Sequence, residues 1–77
     1  MQIPGHPLLS ANPAVCGGKP CIKGTRIRVT DILGALAVGD TEDEILLDFE
    51  QLTRADLKAC LAFGADSTAH PFAIAAE

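Results

Sequence analysis

The apolar residues of this chain change their spacing near residue 30. Residues 26–29 read Arg-Ile-Arg-Val, an alternation of basic and apolar positions. A period of two is typical of a strand, here with one apolar and one basic face. Lys23-Gly24 is a tight-turn signal just before this run. The pattern therefore predicts a short β-hairpin, with charges that either serve a partner or are simply solvated.

A further short strand is predicted at residues 8–11, where Asn12-Pro13 ends it. This strand can pair with residues 27–29 or with a second subunit, and the sequence leaves both open. Residues 1–7 contain two prolines and a glycine. They predict a loose lead-in without regular structure.

Helical spacing begins after residue 30, and two helices are predicted from their N-caps. Thr30 can cap the first helix, with Asp31 favourable in its first turn and Gly39 as a stop. The segment Thr41-Glu42-Asp43-Glu44 has the pattern of a capping box. It predicts a second helix that ends near Phe49.

A third helix is predicted from Thr53, with Asp56 as the acid three residues on. Arg54 and Lys58 lie one turn apart on its polar side. Two short helices joined in this way fit a helix-turn-helix, and equally an ordinary helical hairpin. The predicted apolar face recurs at i, i+3, i+4 and i+7, and comprises Leu57, Cys60, Leu61 and Gly64.

The length of 77 residues predicts one domain. We expect a mainly α fold: a β element at residues 8–30, a three-helix unit at 30–66 and a tail at 67–77. A core of this size is small, and self-association as a homodimer would help it. In the tail, Phe72 and Ile74 form an apolar island, which indicates either a frayed end or a partner-binding segment.

Charge is divided unevenly along the chain. Residues 1–30 contain four basic residues and no acid, whereas the rest contains ten acids and two basic residues. Such a polarised surface can attract a phosphate backbone or a charged protein partner. The chain has no Trp and no Tyr, which argues against stacking of bases on aromatic side chains.

No group of residues suggests catalysis or a cofactor. The three cysteines and two histidines do not have the spacing of a metal site. The odd cysteine count, without a C-x-x-C motif, favours a reducing compartment, so we expect a cytoplasmic protein. No signal peptide or membrane span is predicted.

Residues 16–29 also carry a resemblance to a known family. They read Cys16-Gly17-Gly18-Lys19-Pro20-Cys21-Ile22-Lys23-Gly24-Thr25-Arg26-Ile27-Arg28-Val29. With residues 39–45 and 52–57, this run resembles the prokaryotic, antitoxin-like domain of unknown function 433. The resemblance covers residues 8–66. Family members usually have Tyr-Pro where this chain has Glu50-Gln51, which predicts a less rigid turn before the third helix.

The resemblance implies a homeodomain-like three-helix unit with short N-terminal strands. It also implies a non-enzymatic antitoxin of a type II toxin–antitoxin pair, whose toxin often resembles a PIN-type ribonuclease. The alternative is a protein-binding module with no role at DNA. Arg26 either bonds the protein's own backbone or contacts a ligand. The residues expected at operator DNA are Lys19, Lys23, Arg26, Arg28, Arg54 and Lys58, and those expected at a protein partner are Phe72 and Ile74.

Overall fold

The structure is a computed structural model, and it describes residues 2–69 apart from the side chain of Cys16. Three strands precede three helices, and a short 3-10 turn at Cys16–Gly18 lies between the second and third strands. The described residues form three helices, the number predicted, but the β part is a three-stranded sheet, so the fold is mixed α and β. The elements are β1 (Gln2–Ile3), β2 (His6–Ser10), β3 (Cys21–Ile22), α1 (Val29–Ala37), α2 (Glu42–Asp48) and α3 (Arg54–Ser67).

The sheet is antiparallel, with the order β1-β2-β3. β2 includes most of the strand predicted at residues 8–11, and its Leu9 lies opposite Ile22 of β3. The expectation of a loose lead-in is wrong, because residues 2–7 form β1, a turn at Gly5 with φ of 79°, and the start of β2. The antiparallel pairing of β1 with β2 satisfies backbone N–H and C=O groups of this segment.

The predicted second arm of the hairpin, residues 27–29, is not a strand. The turn at Lys23-Gly24 does form, with Gly24 at φ of 80°. After it, the Ile22 N–H donates to the Ile27 carbonyl at 2.9 Å, and one isolated bridge joins Cys21 to Arg28. The chain then enters α1 at once.

The N-caps of α2 and α3 are as predicted. Thr41 Oγ1 accepts from the Glu44 N–H at 3.1 Å, and the Thr41 N–H donates to Glu44 Oε1 at 2.8 Å. Thr53 and Asp56 make the same reciprocal pair at the start of α3. The cap of α1 is Arg28 instead of Thr30, because α1 already begins at Val29.

One apolar core joins the sheet to all three helices. α3 packs against α1 and β2, while α2 packs against α1 and α3. On the predicted apolar face of α3, Leu57 and Cys60 are fully buried, but Leu61 is 44% exposed and does not belong to the core. The buried members of the core are Leu9, Ile22, Ile27, Val29, Ile32, Ile45, Leu52, Leu57 and Cys60.

A polar contact ties the sheet to the far end of α3. His6 is buried in β2, and its Nε2 lies 2.7 Å from Asp66 Oδ2. The imidazole also meets the ring of Phe63 edge-on, with centroids 5.3 Å apart. In residues 2–69 no helix is long and apolar enough to cross a membrane.

Candidate functional site

The predicted cations of the N-terminal part lie in one segment, residues 19–28, which we name the basic loop. β3 and the turn at Lys23-Gly24 hold it against the sheet, where the Lys23 N–H donates to the Leu8 carbonyl at 2.8 Å. The side chains of Lys19, Lys23 and Arg26 are exposed. Because residues 1–30 contain no acid, this segment has a positive local charge that its own sequence does not offset.

Arg28 differs from the other cations of the basic loop. Its Nε lies 3.4 Å from Asp31 Oδ2, and its backbone N–H donates to the same oxygen at 3.2 Å. These contacts hold the start of α1. Part of its charge is therefore balanced within the protein.

Among the residues predicted to contact DNA, Arg54 differs most from the prediction, because its guanidinium pairs with acids of the protein. Its Nη1 lies 2.9 Å from Glu42 Oε1, and its Nη2 contacts Asp43 Oδ1. Hydrogen bonding to Asp43, reinforced by the charge of that carboxylate, raises the pKa of Arg54. Arg54 thus joins the N-terminal ends of α2 and α3. Of the two predicted cations on α3, Lys58 is exposed and makes no ion pair within residues 2–69.

A cleft of about 390 Å³ opens beside the basic loop. Two turns form its walls, residues 12–15 after β2 and residues 24–26 after β3. The antiparallel pairing of β2 with β3 places Ser10 opposite Cys21 in the lining between them. No motif in the sequence indicates this cleft, because it depends on that pairing. Its lining comprises Ser10, Asn12, Val15, Cys21, Gly24, Thr25 and Arg26.

The outer side of α2 combines carboxylates with an exposed leucine. Leu47 is 78% exposed and is followed by Asp48, with Glu44 one turn before it. The backbone N–H of Thr41 lowers the pKa of Glu44, as does the Thr41 side chain. Val38, at the end of α1, is 81% exposed. An exposed apolar side chain among carboxylates is suited to a protein partner with a basic surface.

The cysteine and histidine side chains that the structure describes are buried. Cys60 is buried, and burial, followed by the charge of Asp56, raises its pKa to about 11. Cys21 is 2% exposed and is disulfide-bonded. In the described part of the chain, no group of three His, Cys, Asp or Glu residues could hold a metal ion. Phe72 and Ile74, the predicted partner contacts, lie outside the described residues.

The chain is similar to known proteins in both sequence and fold. A family model described as "Protein of unknown function (DUF433)" matches residues 9–64. The crystal structure of a DUF433 member protein from Anabaena variabilis, at 2.00 Å resolution, is similar with a TM-score of 0.73 and 29% sequence identity. The match covers 80% of this chain and 60% of that one, so it spans less than two thirds of that protein's length. No curated protein matches the chain.

Proposed function

The chain belongs to the DUF433 family, and on that premise we propose that it is a non-enzymatic, antitoxin-like module that binds a toxin protein and operator DNA. The observation that carries the proposal is the segregation of charge on a domain of 77 residues. The exposed cations of the basic loop suit phosphates, and the carboxylates around Leu47 suit a basic protein. A cytoplasmic homodimer belongs to the same proposal.

The protein partner is assigned to α2. A ribonuclease-type toxin carries a basic surface for its own substrate, and the acids of α2 complement such a surface. Leu47 supplies exposed apolar area within that acidic surface, and burial of apolar area at the centre of an interface contributes much of the affinity.

The protein arm is tested by co-expression with the product of the adjacent gene. Leu47→Ala should weaken the complex, whereas Leu61→Ala on α3 serves as the matched control. Both leucines are exposed, so neither change should alter stability by more than about 0.5 kcal/mol. Equal effects of the two changes, or none, would remove α2 from the interface.

The DNA contact is assigned to the basic loop and to Lys58 of α3, the latter in a helix-turn-helix arrangement. Arg54 contributes less, because Glu42 and Asp43 already balance its charge. The test is the binding of duplex DNA from the upstream operator at several salt concentrations. Each phosphate contact contributes about 0.9 to the slope of log affinity against log salt, so Lys23→Gln should reduce the slope by about that amount.

A second candidate is a protein-binding module with no DNA role. The ion pairs of Arg54 favour it, because they leave α3 with only Lys58 as a cation that is not ion-paired within residues 2–69. Under this alternative the complex with the adjacent gene product forms as before. Binding of operator DNA would then be absent at every salt concentration.

A further inference from the structure

The walls of the cleft beside the basic loop are held by their own hydrogen bonds. The Val15 N–H donates to the Asn12 carbonyl at 2.9 Å and closes one turn. Thr25 Oγ1 donates to the Ile22 carbonyl at 2.8 Å and accepts from the Ile27 N–H at 3.0 Å, which fixes the other. The cleft is therefore preformed, and a ligand would not have to organise it.

The lining of the cleft offers hydrogen-bond donors, and none of its described residues carries a carboxylate. Asn12 Oδ1 accepts from the Ala14 N–H at 2.9 Å, which leaves the amide NH₂ of Asn12 as a donor. Ser10 contributes a hydroxyl, which can donate. Arg26 already has an interaction within the protein, but its guanidinium has five N–H donors and can also bind a ligand. A lining of this kind favours an anion.

The charged side chains of the basic loop beside the cleft are all cations. Lys19 and Lys23 are exposed in the same basic loop. The first acid in the sequence is Asp31, and it is engaged by Arg28. An anion entering the cleft therefore meets the cations of the basic loop, and it meets no carboxylate among the described lining residues.

The size of the cleft limits the class of ligand. At about 390 Å³ it is larger than a single phosphate needs, and it falls within the range of about 300–1,000 Å³ found for small-molecule sites. Val15 adds apolar surface to the lining. Such a cleft accommodates an anion that carries a compact, partly apolar group.

We propose that this cleft binds a phosphate ester of about the size of one nucleotide, with the phosphate at Arg26. A free nucleotide and one unit of a nucleic-acid strand present the same chemistry. The nucleic-acid source deepens the proposed DNA contact and rests on it, whereas the free nucleotide does not.

The test follows backbone amide signals by NMR while the whole chain is titrated with inorganic phosphate, adenosine monophosphate or operator duplex. We expect the amides of Asn12, Gly24 and Arg26 to shift with adenosine monophosphate at concentrations where inorganic phosphate has less effect. A shift with the duplex at the same amides identifies nucleic acid as a source. Shifts with adenosine monophosphate alone identify the free nucleotide.

Two variants at Ser10 keep Arg26 intact and test the sign of the charge. Ser10→Asp places a carboxylate in the lining and should weaken binding by about tenfold or more, because like charges repel strongly at short range. The side chain introduced by Ser10→Asn has the same shape as the one introduced by Ser10→Asp but carries no charge. This change should alter the affinity by less than about twofold. Circular dichroism of both variants checks that each one folds.

Other results would overturn the inference. If the duplex binds but Ser10→Asp has no effect and Lys58→Gln abolishes binding, the cleft is not the site, while the proposed DNA contact stands. If Ser10→Asn and Ser10→Asp weaken binding equally, the effect is one of shape and not of anion recognition. If none of the three ligands shifts the cleft amides, no phosphate site exists there.

Discussion

Residues 2–28 and the three helices use their charged side chains in different ways. In the first region, the exposed side chains of Lys19 and Lys23 lie in a sequence whose first acid is Asp31. In the second, Arg54 lies between two carboxylates of α2 and holds two helices together. A formal net charge of −4 conceals this division. A basic residue that already pairs with an acid of the protein, as Arg54 does, is less available to a phosphate.

The two regions nevertheless share one core, and the largest predicted effect tests this. Leu9 of β2 and Leu57 of α3 are both fully buried. Each Leu→Ala change should lower the free energy of unfolding by about 2–5 kcal/mol, from lost burial and the cavity left behind. The measurement is urea unfolding followed by circular dichroism.

The control for both changes is Leu47→Ala, at a side chain that is 78% exposed, where we expect a change within about 0.5 kcal/mol. If Leu9→Ala disrupts the sheet amide signals while the helical signal unfolds at the wild-type urea concentration, the regions are separate folding units. The sheet and the helices would then be two domains and not two surfaces of one domain.

A smaller effect compares backbone requirements in the two regions. Gly24 has φ of 80°, and Gly34 lies in α1 with nothing within 4 Å of an added Cβ. Gly24→Ala should cost about 1–2 kcal/mol, because Cβ opposes the left-handed conformation. Gly34→Ala should stabilise by up to about 1 kcal/mol, because alanine is the better helix former.

Thermal unfolding of the two glycine variants checks the opposite signs. If both stabilise the protein, the turn after β3 does not require a left-handed residue. The hairpin-like closure of the basic loop would then be wrong, and the wall of the cleft with it.

The sequence predicted the helical region better than the sheet, for a physical reason. The caps at Thr41 and Thr53 use side chains three residues away, so the necessary information is local. Pairing of Leu9 with Ile22 joins residues that no local pattern connects. The start of α1 also depends on a distant group, since the Val29 N–H donates to the Pro20 carbonyl at 3.0 Å.

The candidate site divides along the same line. The cations were found because charge can be read directly from the chain. The ion pair between Arg54 and Glu42 was missed because the two residues are twelve positions apart. Glu42 had been interpreted only as part of the capping box of α2. The cleft was missed because its lining combines Ser10 of β2 with Arg26, which follows β3, and only the pairing of the two strands brings these parts of the chain into one lining.

The next effect concerns the acidic helix. Thr41→Ala removes a side-chain cap and should lower the free energy of unfolding by about 1 kcal/mol.

The pKa of Glu44 is lowered in the folded state, so the contribution of Glu44 to stability is present above the ordinary value of 4.5 and is lost as pH falls below it. Glu44→Gln should flatten this part of the pH dependence of unfolding. A dependence unchanged by Glu44→Gln would assign the acid sensitivity to another carboxylate.

The smallest expected effect on stability bears most directly on the comparison of the two regions. Asp43→Asn removes one partner of Arg54 and should cost no more than about 1 kcal/mol, because exposed ion pairs contribute little. The change also releases part of the charge of Arg54. Asp48→Asn is the matched control, since it alters net charge equally without contacting Arg54.

Affinity for operator duplex separates the two surfaces. If the basic loop makes the phosphate contacts, Asp43→Asn and Asp48→Asn should raise affinity equally, through net charge alone. If α3 lies against DNA, Asp43→Asn should raise it further, because Arg54 becomes a phosphate ligand there. A clear excess for Asp43→Asn would therefore place Arg54 with Lys58 among the phosphate contacts of α3. It would also make the ion pairs of Arg54 a restraint on binding as well as a link between helices.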